Sequence, residues 1–182
     1  MRYNTLMYKK RVVRVPLGND NFLSVLEGVE GGFAIFAGII VGLMFEGVSR
    51  ELLVLTALIG IIVNAFNSSA VRFSSEHYMD ELDGHEKRRR FQTYFVPAII
   101  EFSSYLVVSF IALAPLLFVA DLSIAVVLTI EMTLVILFVA GWYRGHLLNR
   151  RHAVRDGFEV MLLGLLIICV GAFSGWLLTQ LI

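Results

Sequence analysis

The sequence has few charged residues, almost no cysteine and no recognisable enzyme motif, and each shortage narrows the protein class. Only 16% of its 182 residues are charged, whereas about a quarter are charged in a typical soluble domain. The single cysteine, Cys169, permits no intrachain disulfide. There is no H-E-x-x-H, no G-x-S-x-G and no phosphate-binding P-loop. Nothing here indicates an enzyme, and an ordinary soluble domain is excluded.

Long apolar runs are abundant instead, since 58% of the residues are hydrophobic. They form five blocks of roughly twenty residues, the length that crosses about 30 Å of hydrocarbon as a helix. No block alternates polar and apolar residues, so closed helices must satisfy the backbone. The sequence therefore predicts an all-α membrane protein with five transmembrane helices. The predicted spans are 22–46, 52–71, 94–119, 122–143 and 157–181.

The basic residues predict how these spans are oriented. Every Lys and Arg except Arg50 falls within residues 1–21, 72–92 or 144–156, which lie on one side of a five-span chain. The positive-inside rule assigns that side to the cytoplasm, so the N-terminus is cytoplasmic and the C-terminus outside. The basic segment 1–21 lacks a signal-peptide core and is read as a retained cytoplasmic segment before a single membrane domain, 22–182. Basic residues beside anionic lipid need no nucleic acid to explain them.

The second span is expected to continue beyond the membrane. Residues 64–90 contain no proline and their first glycine is Gly84, so the helix extends into the cytoplasm before it breaks there. Pro97 falls in the first turns of span three, where its missing N–H is tolerated. Pro115 predicts a kink near the other end of that span. The short first and third connections predict antiparallel hairpins.

Glycines four residues apart mark close helix contacts. The pairs are Gly28 and Gly32, Gly38 and Gly42, and Gly171 and Gly175. Small residues at this spacing let helices approach closely in lipid. Tight packing within one chain and a homodimer interface along span one are both compatible with the pattern.

Acidic residues inside the spans are the strongest functional signal. A carboxylate at mid-bilayer costs roughly 2.5–3.5 kcal/mol, so such groups are expected to face one another, water or a cation. Glu27 and Glu30 share a helix face and are predicted to bind a cation together. Glu101 and Glu131, with Met132, are further candidates for a pathway. Glu159 lies at a helix start, where its charge complements the helix dipole.

Span two adds a polar stripe and a charged extension. Asn64, Asn67 and Ser68 share a face and either bond between helices or line a pathway. Beyond them, the acid and histidine segment within 72–92 holds Glu76, His77, Asp80 and Glu81 at helical spacing. Carboxylate oxygen and imidazole nitrogen suit Fe²⁺, Mn²⁺ or Zn²⁺. These four are predicted to capture metal, and a solvated helix face with ion pairs is the alternative.

Four stretches taken together resemble one known family. "EGVEGGFAIFAG" (27–38) resembles the first-span signature of the vacuolar iron transporter family, D-G-x-x-T-T-F-A-x-x-A-G. "NSSAVRFSSE" falls where the family has S-M-A-x-G-E-Y-x-S. "SFIALAPLLF" resembles its third-span ending and "VRDGFEVMLLGLL" its fifth-span opening. The resemblance covers about residues 24–181, with the same five-span topology.

The resemblance implies a homodimer that exchanges cytosolic Fe²⁺ or Mn²⁺ for protons along a pathway between protomers. Glu27 then takes the place of the family's first-span acid, a pathway ligand and proton carrier. The chain departs from the signature at Gly31 and Gly32, where the family has threonines. It departs again at Ser68, where the family has methionine, and at Arg72, where it has an acid. The all-oxygen ligand set that remains suits Mn²⁺ or Mg²⁺ better than iron.

The sequence thus predicts a secondary transporter in the cell membrane of a prokaryote. It would export Fe²⁺ or Mn²⁺ in exchange for protons, with no permanently bound cofactor. The expected partners are the bilayer, divalent metal ions, protons and a second copy of the chain. The alternative function is a transport-inactive membrane scaffold or partner subunit of the same fold.

Overall fold

The computed structural model describes residues 18–84, 91–148 and 152–181, and all elements in these ranges are helices. The helices are α1 (Asn19–Met44), α2 (Arg50–Leu82), α3 (Val96–Phe118), α4 (Leu122–Leu148) and α5 (Ala153–Leu181). A π-helical turn, Phe91–Phe95, leads into α3. All five helices are long and apolar enough to cross a membrane, which confirms the predicted all-α, five-span fold. Most of the predicted cytoplasmic segment 1–21 lies outside the described residues.

Local sequence explains where the second helix begins and ends. Gly47 adopts a φ of 63°, a backbone conformation that residues with a side chain rarely adopt. This glycine closes the turn after α1. The Ser49 hydroxyl then accepts a hydrogen bond from the Leu52 N–H and caps α2. At the other end Gly84 adopts a φ of 66° just after the helix. The prediction that α2 continues as a helix until it breaks near Gly84 is confirmed, while its extension into the cytoplasm stays a prediction.

The two prolines of α3 fit the helix in different ways. Pro97 lies at its first turn, as predicted, although the π-helical turn already begins the helical path at Phe91. Pro115 lies inside the helix, and its carbonyl accepts the Val119 N–H at 3.0 Å. The kink at Pro115 stays a prediction.

Helix α1 lies at the centre of the bundle. It packs most extensively against α3 and α5 and also contacts α2 and α4. Its most apolar stretch is 56% buried, against 28% for α2 and 22% for α5. Neighbouring contacts run from α2 to α3, α3 to α4 and α4 to α5, while in the described ranges α2 and α5 make at most marginal contact. One side of α1 is therefore left open between α2 and α5.

The glycine pairs are used for packing within the chain. A Cβ on Gly28 or Gly32 would lie within 3 Å of backbone atoms of α3. A Cβ on Gly42 would meet the Gly171 carbonyl oxygen at 2.9 Å, and one on Gly175 would collide with the Gly42 carbonyl. These glycines face α3 and α5 of the same chain, so packing within one chain accounts for the pattern. A homodimer interface along span one stays a prediction.

The α2–α3 and α4–α5 connections lie at the same end of the bundle, here called the inner end. The opposite end, with the α1–α2 and α3–α4 links, is called the outer end. The sequence predicts that the inner end is cytoplasmic, and this orientation stays a prediction.

Candidate functional site

A buried arginine is the centre of the polar contacts at the inner end. Arg72 projects from α2, and only 6% of its side chain is exposed. It forms an ion pair with Glu27 of α1, one with Glu76 a turn further along α2 at 2.6 Å, and a longer one with Glu101 of α3 at 3.9 Å. It also donates to the Asp20 carbonyl at 3.3 Å. Three helices thus place carboxylates around one guanidinium, and we call Glu27, Arg72, Glu76 and Glu101 the Arg72 cluster.

Glu101 is the most deeply buried acid of this cluster, with 3% of its side chain exposed. One of its oxygens accepts a hydrogen bond from the Ser68 hydroxyl. Its other oxygen, Oε2, and the Nε of Arg72 are both buried without a hydrogen-bond partner among the described residues. A buried polar group without a hydrogen-bond partner lowers the stability of the folded protein. Both atoms could therefore still form a hydrogen bond.

A cavity of about 640 Å³ adjoins the cluster. It lies between α1 and α2 and reaches Glu101 on α3. Glu27 has 42% of its side chain exposed, much more than Glu101. The polar side chains that line the cavity are Glu27, Asn64, Asn67, Ser68, Arg72, Ser75, Glu76 and Glu101. The predicted polar stripe of α2 and two of the predicted intramembrane acids therefore meet at one place.

The structure separates Glu30 from Glu27. Glu30 lies 3.4 Å from Arg144 of α4, with about a third of each side chain exposed. It is not among the residues that line the cavity beside Glu27. The two acids, one turn apart, face different arginines, and the geometry does not bring them to one shared cation as expected. A metal-binding role for either residue stays a prediction.

The four residues predicted to capture metal point in different directions. Glu76 turns towards Arg72, while His77 lies 3.6 Å from Glu81. Asp80 accepts a hydrogen bond from the Tyr94 hydroxyl at 2.7 Å. Within residues 18–84, 91–148 and 152–181, no three His, Cys, Asp or Glu side chains form a group that could hold a metal ion. Metal capture and a solvated helix face with ion pairs both stay predictions, and residues 85–90 of the acid and histidine segment lie outside the described residues.

The remaining candidates lie away from the cavity. Glu131 is on the exposed surface of α4, while Met132 is partly buried and packs against the apolar core. Glu159 forms an exposed ion pair with Arg155 at 2.8 Å, near the start of α5. That placement agrees with a surface role for Glu159.

Sequence reasoning did not anticipate Arg72 as an internal counter-ion. In the sequence, Arg72 is one of the basic residues that predict the orientation, and it stands where the family signature has an acid. A signal was available, because a charged side chain at membrane depth pairs with an opposite charge. Its partners could not be named from spacing alone, since Glu27 and Glu101 are far from Arg72 in sequence and on other helices.

The family follows from comparison with known proteins. The sequence profile of the VIT family matches residues 63–176, well over half of the chain. The chain belongs to the VIT family. This confirms the vacuolar iron transporter resemblance, and VIT membership supports membrane transport of metal ions such as iron or manganese. No curated protein and no solved structure matches the chain.

The match includes part of the Arg72 cluster. Ser68, Arg72, Glu76 and Glu101 lie inside the matched range, whereas Glu27 precedes it. The correspondence of Glu27 with the first-span acid of the VIT family therefore depends on the residues of its own motif.

Proposed function

We propose that this VIT protein exports a divalent transition metal, Fe²⁺ or Mn²⁺, from the cytoplasm of a prokaryotic cell in exchange for protons. The observation that carries the proposal is the convergence of Glu27, Glu76 and Glu101 beside one cavity. Carboxylates from three different helices form a site whose shape depends on how those helices pack. Such a site can change when the helices move.

The formal charge of the cluster fits a divalent cation. Three carboxylates and one guanidinium leave an excess of two negative charges when all are ionised. One divalent ion would neutralise that excess, and so would two protons. Because carboxylates must lose their protons to bind metal, metal and protons compete for the same oxygens. This competition supplies a means of coupling.

The available ligands favour a hard cation. Carboxylate oxygens, the Asn64 and Asn67 amides and the Ser68 hydroxyl line the cavity, and no sulfur atom lines it in the described residues. Oxygen ligands suit Mn²⁺ better than a soft metal. We therefore expect Mn²⁺ to be transported at least as well as Fe²⁺.

A second copy of the chain would close the open side of α1. The gap between α2 and α5 exposes the cavity, and Ile35 borders both this cavity and an apolar one between α1 and α5. A homodimer packed across this gap would place two Arg72 clusters near its axis and exclude lipid from them. The pathway would then run between protomers.

Flux through proteoliposomes tests the transport proposal. Wild-type protein should carry Mn²⁺ and Fe²⁺ with coupled proton movement, read with an internal metal dye and a pH dye. Glu27→Gln should lower metal flux about tenfold or more, because it removes a charged ligand. Glu159→Gln is the matched control, since this exposed acid lies away from the cavity, and its flux should stay within about twofold of wild type. Wild-type liposomes that carry none of Fe²⁺, Mn²⁺, Co²⁺ or Zn²⁺ would refute transport.

One observation favours the alternative of a transport-inactive scaffold. Arg72 already neutralises part of the acidic site, and within the described ranges no three potential ligands are arranged for a metal. The same flux assay separates the two functions. A scaffold would be folded and dimeric but would carry no metal in either direction.

A further inference from the structure

We propose that Arg72 is a tethered competitor of the transported metal: its guanidinium occupies the carboxylates when the site is empty and is displaced when a divalent cation binds. This inference deepens the proposed function and rests on it. It assigns to Arg72 a role in setting affinity and charge selectivity, and the residue itself does not ligate the metal.

The first argument is that Arg72 holds the position a bound cation would hold. Glu27, Glu76 and Glu101 come from three helices, and each pairs with this one guanidinium. Without a cation the cluster would carry three negative charges beside hydrocarbon. Glu101 is the buried member, with 3% of its side chain exposed, and an unpaired charge there is costly, so a cation is required whenever this acid is ionised.

The second argument is that Arg72 does not fill all the hydrogen-bonding positions of the acids. The contact with Glu101 is 3.9 Å, and both Arg72 Nε and Glu101 Oε2 are buried without a hydrogen-bond partner. A guanidinium that was only structural would be expected to form the paired, two-bond contact typical of arginine and carboxylate. The unpartnered Oε2 is an open ligand position for a smaller, doubly charged ion.

The third argument is that the displaced guanidinium has a place to go. The adjoining cavity is about 640 Å³ and presents the Asn64, Asn67 and Ser75 side chains. Amide and hydroxyl oxygens can accept hydrogen bonds from a guanidinium. Rotation of the long Arg72 side chain would move the charge from the carboxylates to these groups without unwinding α2.

A tethered competitor has a specific effect on selectivity. A monovalent ion gains too little from the carboxylates to replace a guanidinium that is permanently present at high local concentration. A divalent ion gains about twice as much electrostatic energy at the same distance. Arg72 therefore rejects monovalent cations and weakens divalent binding enough to allow release.

Mn²⁺ binding to the purified full-length protein tests the inference, measured by titration calorimetry and by loss of the free Mn²⁺ electron paramagnetic resonance signal. Removing the competitor in Arg72→Ala should lower the Kd for Mn²⁺ about tenfold or more. Arg72→Lys keeps the charge but loses the planar guanidinium that can bond a carboxylate through two N–H groups. Its Kd should therefore lie between those of wild type and Arg72→Ala. Arg155→Ala removes an exposed arginine paired only with Glu159 and should leave the Kd unchanged.

A chemical rescue distinguishes competition from a change in packing. Millimolar methylguanidinium should raise the Kd of Arg72→Ala towards the wild-type value, because the free cation can enter the space left by the side chain. It should not change the Kd of wild type. Tetramethylammonium at the same ionic strength, which donates no hydrogen bond, should leave both proteins unchanged.

The outcomes separate this inference from the transport proposal. Equal or weaker Mn²⁺ binding by folded Arg72→Ala would overturn the inference. If Arg72→Ala does not fold, Arg72→Lys decides, and a Kd equal to or above that of wild type would overturn it. If wild type binds no Mn²⁺ but Arg72→Ala does, Arg72 blocks the site and is not displaced, which overturns the inference. If neither protein binds Mn²⁺, the inference fails, while the transport proposal is decided separately by the flux assay with Fe²⁺, Mn²⁺, Co²⁺ and Zn²⁺.

Discussion

The two ends of α1 are held in the bundle by different forces. At the inner end Glu27 and Glu30 face arginines of α2 and α4. At the outer end Gly38 and Gly42 bring the backbone of α1 against the backbone of α5, beside an apolar cavity of about 380 Å³. Gly28 and Gly32 also give the inner end close backbone contacts with α3, so one helix joins an end that combines ion pairs with close packing to an end held by close packing against α5.

The inner end can therefore rearrange its side-chain contacts, whereas the outer α1–α5 contact is rigid. Ion pairs on long side chains can exchange partners, and a cavity beside them leaves room for the exchange. Two backbones in contact have no side chain to move, so the outer α1–α5 contact must shift as a unit or not at all. We infer that metal recognition belongs to the inner end, while the outer end fixes the position of α1.

Removing the charge at the inner end should give the largest effect on stability. Arg72→Leu leaves Glu101 buried without its counter-ion and should lower the free energy of unfolding by about 3 kcal/mol. Denaturant titration in detergent micelles measures this loss. Arg144→Leu is the matched control, because its pair with Glu30 is about one-third exposed, and it should cost under about 1 kcal/mol.

Equal losses for these two arginine variants would contradict the special position of Arg72. The expected loss of stability in metal-free Arg72→Leu is compatible with tighter metal binding once the arginine is gone. Saturating Mn²⁺ should therefore raise the melting temperature of Arg72→Leu more than that of wild type.

Adding one methyl group at the outer end should give an intermediate effect. The Cβ of Gly175→Ala would collide with the Gly42 carbonyl, a backbone atom that cannot rotate away. The two helices must separate, at a cost of about 1–3 kcal/mol in the same unfolding titration. In the control Gly60→Ala the nearest atom is the Ile39 Cδ1 at 3.2 Å, the end of a flexible side chain, so the change should stay within about 0.5 kcal/mol. Similar stabilities for the two variants would show that the outer contact is looser than described.

Removing one hydroxyl at the inner end should give the smallest effect. Ser68→Ala deletes the hydrogen bond that α2 donates to Glu101 of α3, and the loss should be about 1 kcal/mol. Ser174→Ala at the outer end deletes only a local bond to the Val170 carbonyl of its own helix and should change stability by less than about 0.5 kcal/mol. A larger loss for Ser174→Ala would reverse the assignment of polar contacts to the inner end.

The sequence predicted where the helices lie along the chain but not which helices pack against one another. Apolar length predicted five spans, and the absence of proline before Gly84 predicted how far α2 continues, because both depend on local properties of the chain. Packing could not be read in the same way. The lipid-facing and the packed faces of a membrane helix are both largely apolar, so Gly28 and Gly42 indicated close contacts without indicating that one faces α3 and the other α5.

In the candidate site, likewise, the sequence identified the acidic residues but not the residues they pair with. Membrane depth singled out Glu27, Glu30 and Glu101 as costly acids in need of partners. Helical spacing suggested that Glu27 and Glu30 act together, but a separation of three residues spreads two side chains over enough of the helix surface to reach different neighbours. Each found its own arginine, and only the packing of α1 against α2 and α4 determined which.

The length of α2 has an electrical consequence. Arg50 begins the helix, and the axial rise from Arg50 to Arg72 is about 33 Å, close to the thickness of the hydrocarbon core. An ion that leaves the Arg72 cluster for the outer end therefore crosses nearly the whole transmembrane voltage, at about 2.3 kcal/mol per elementary charge for each 100 mV. The guanidinium stays attached to α2 and carries no charge across. Exchange of one divalent ion for two protons would then be electroneutral, and the final metal gradient should not depend on the voltage.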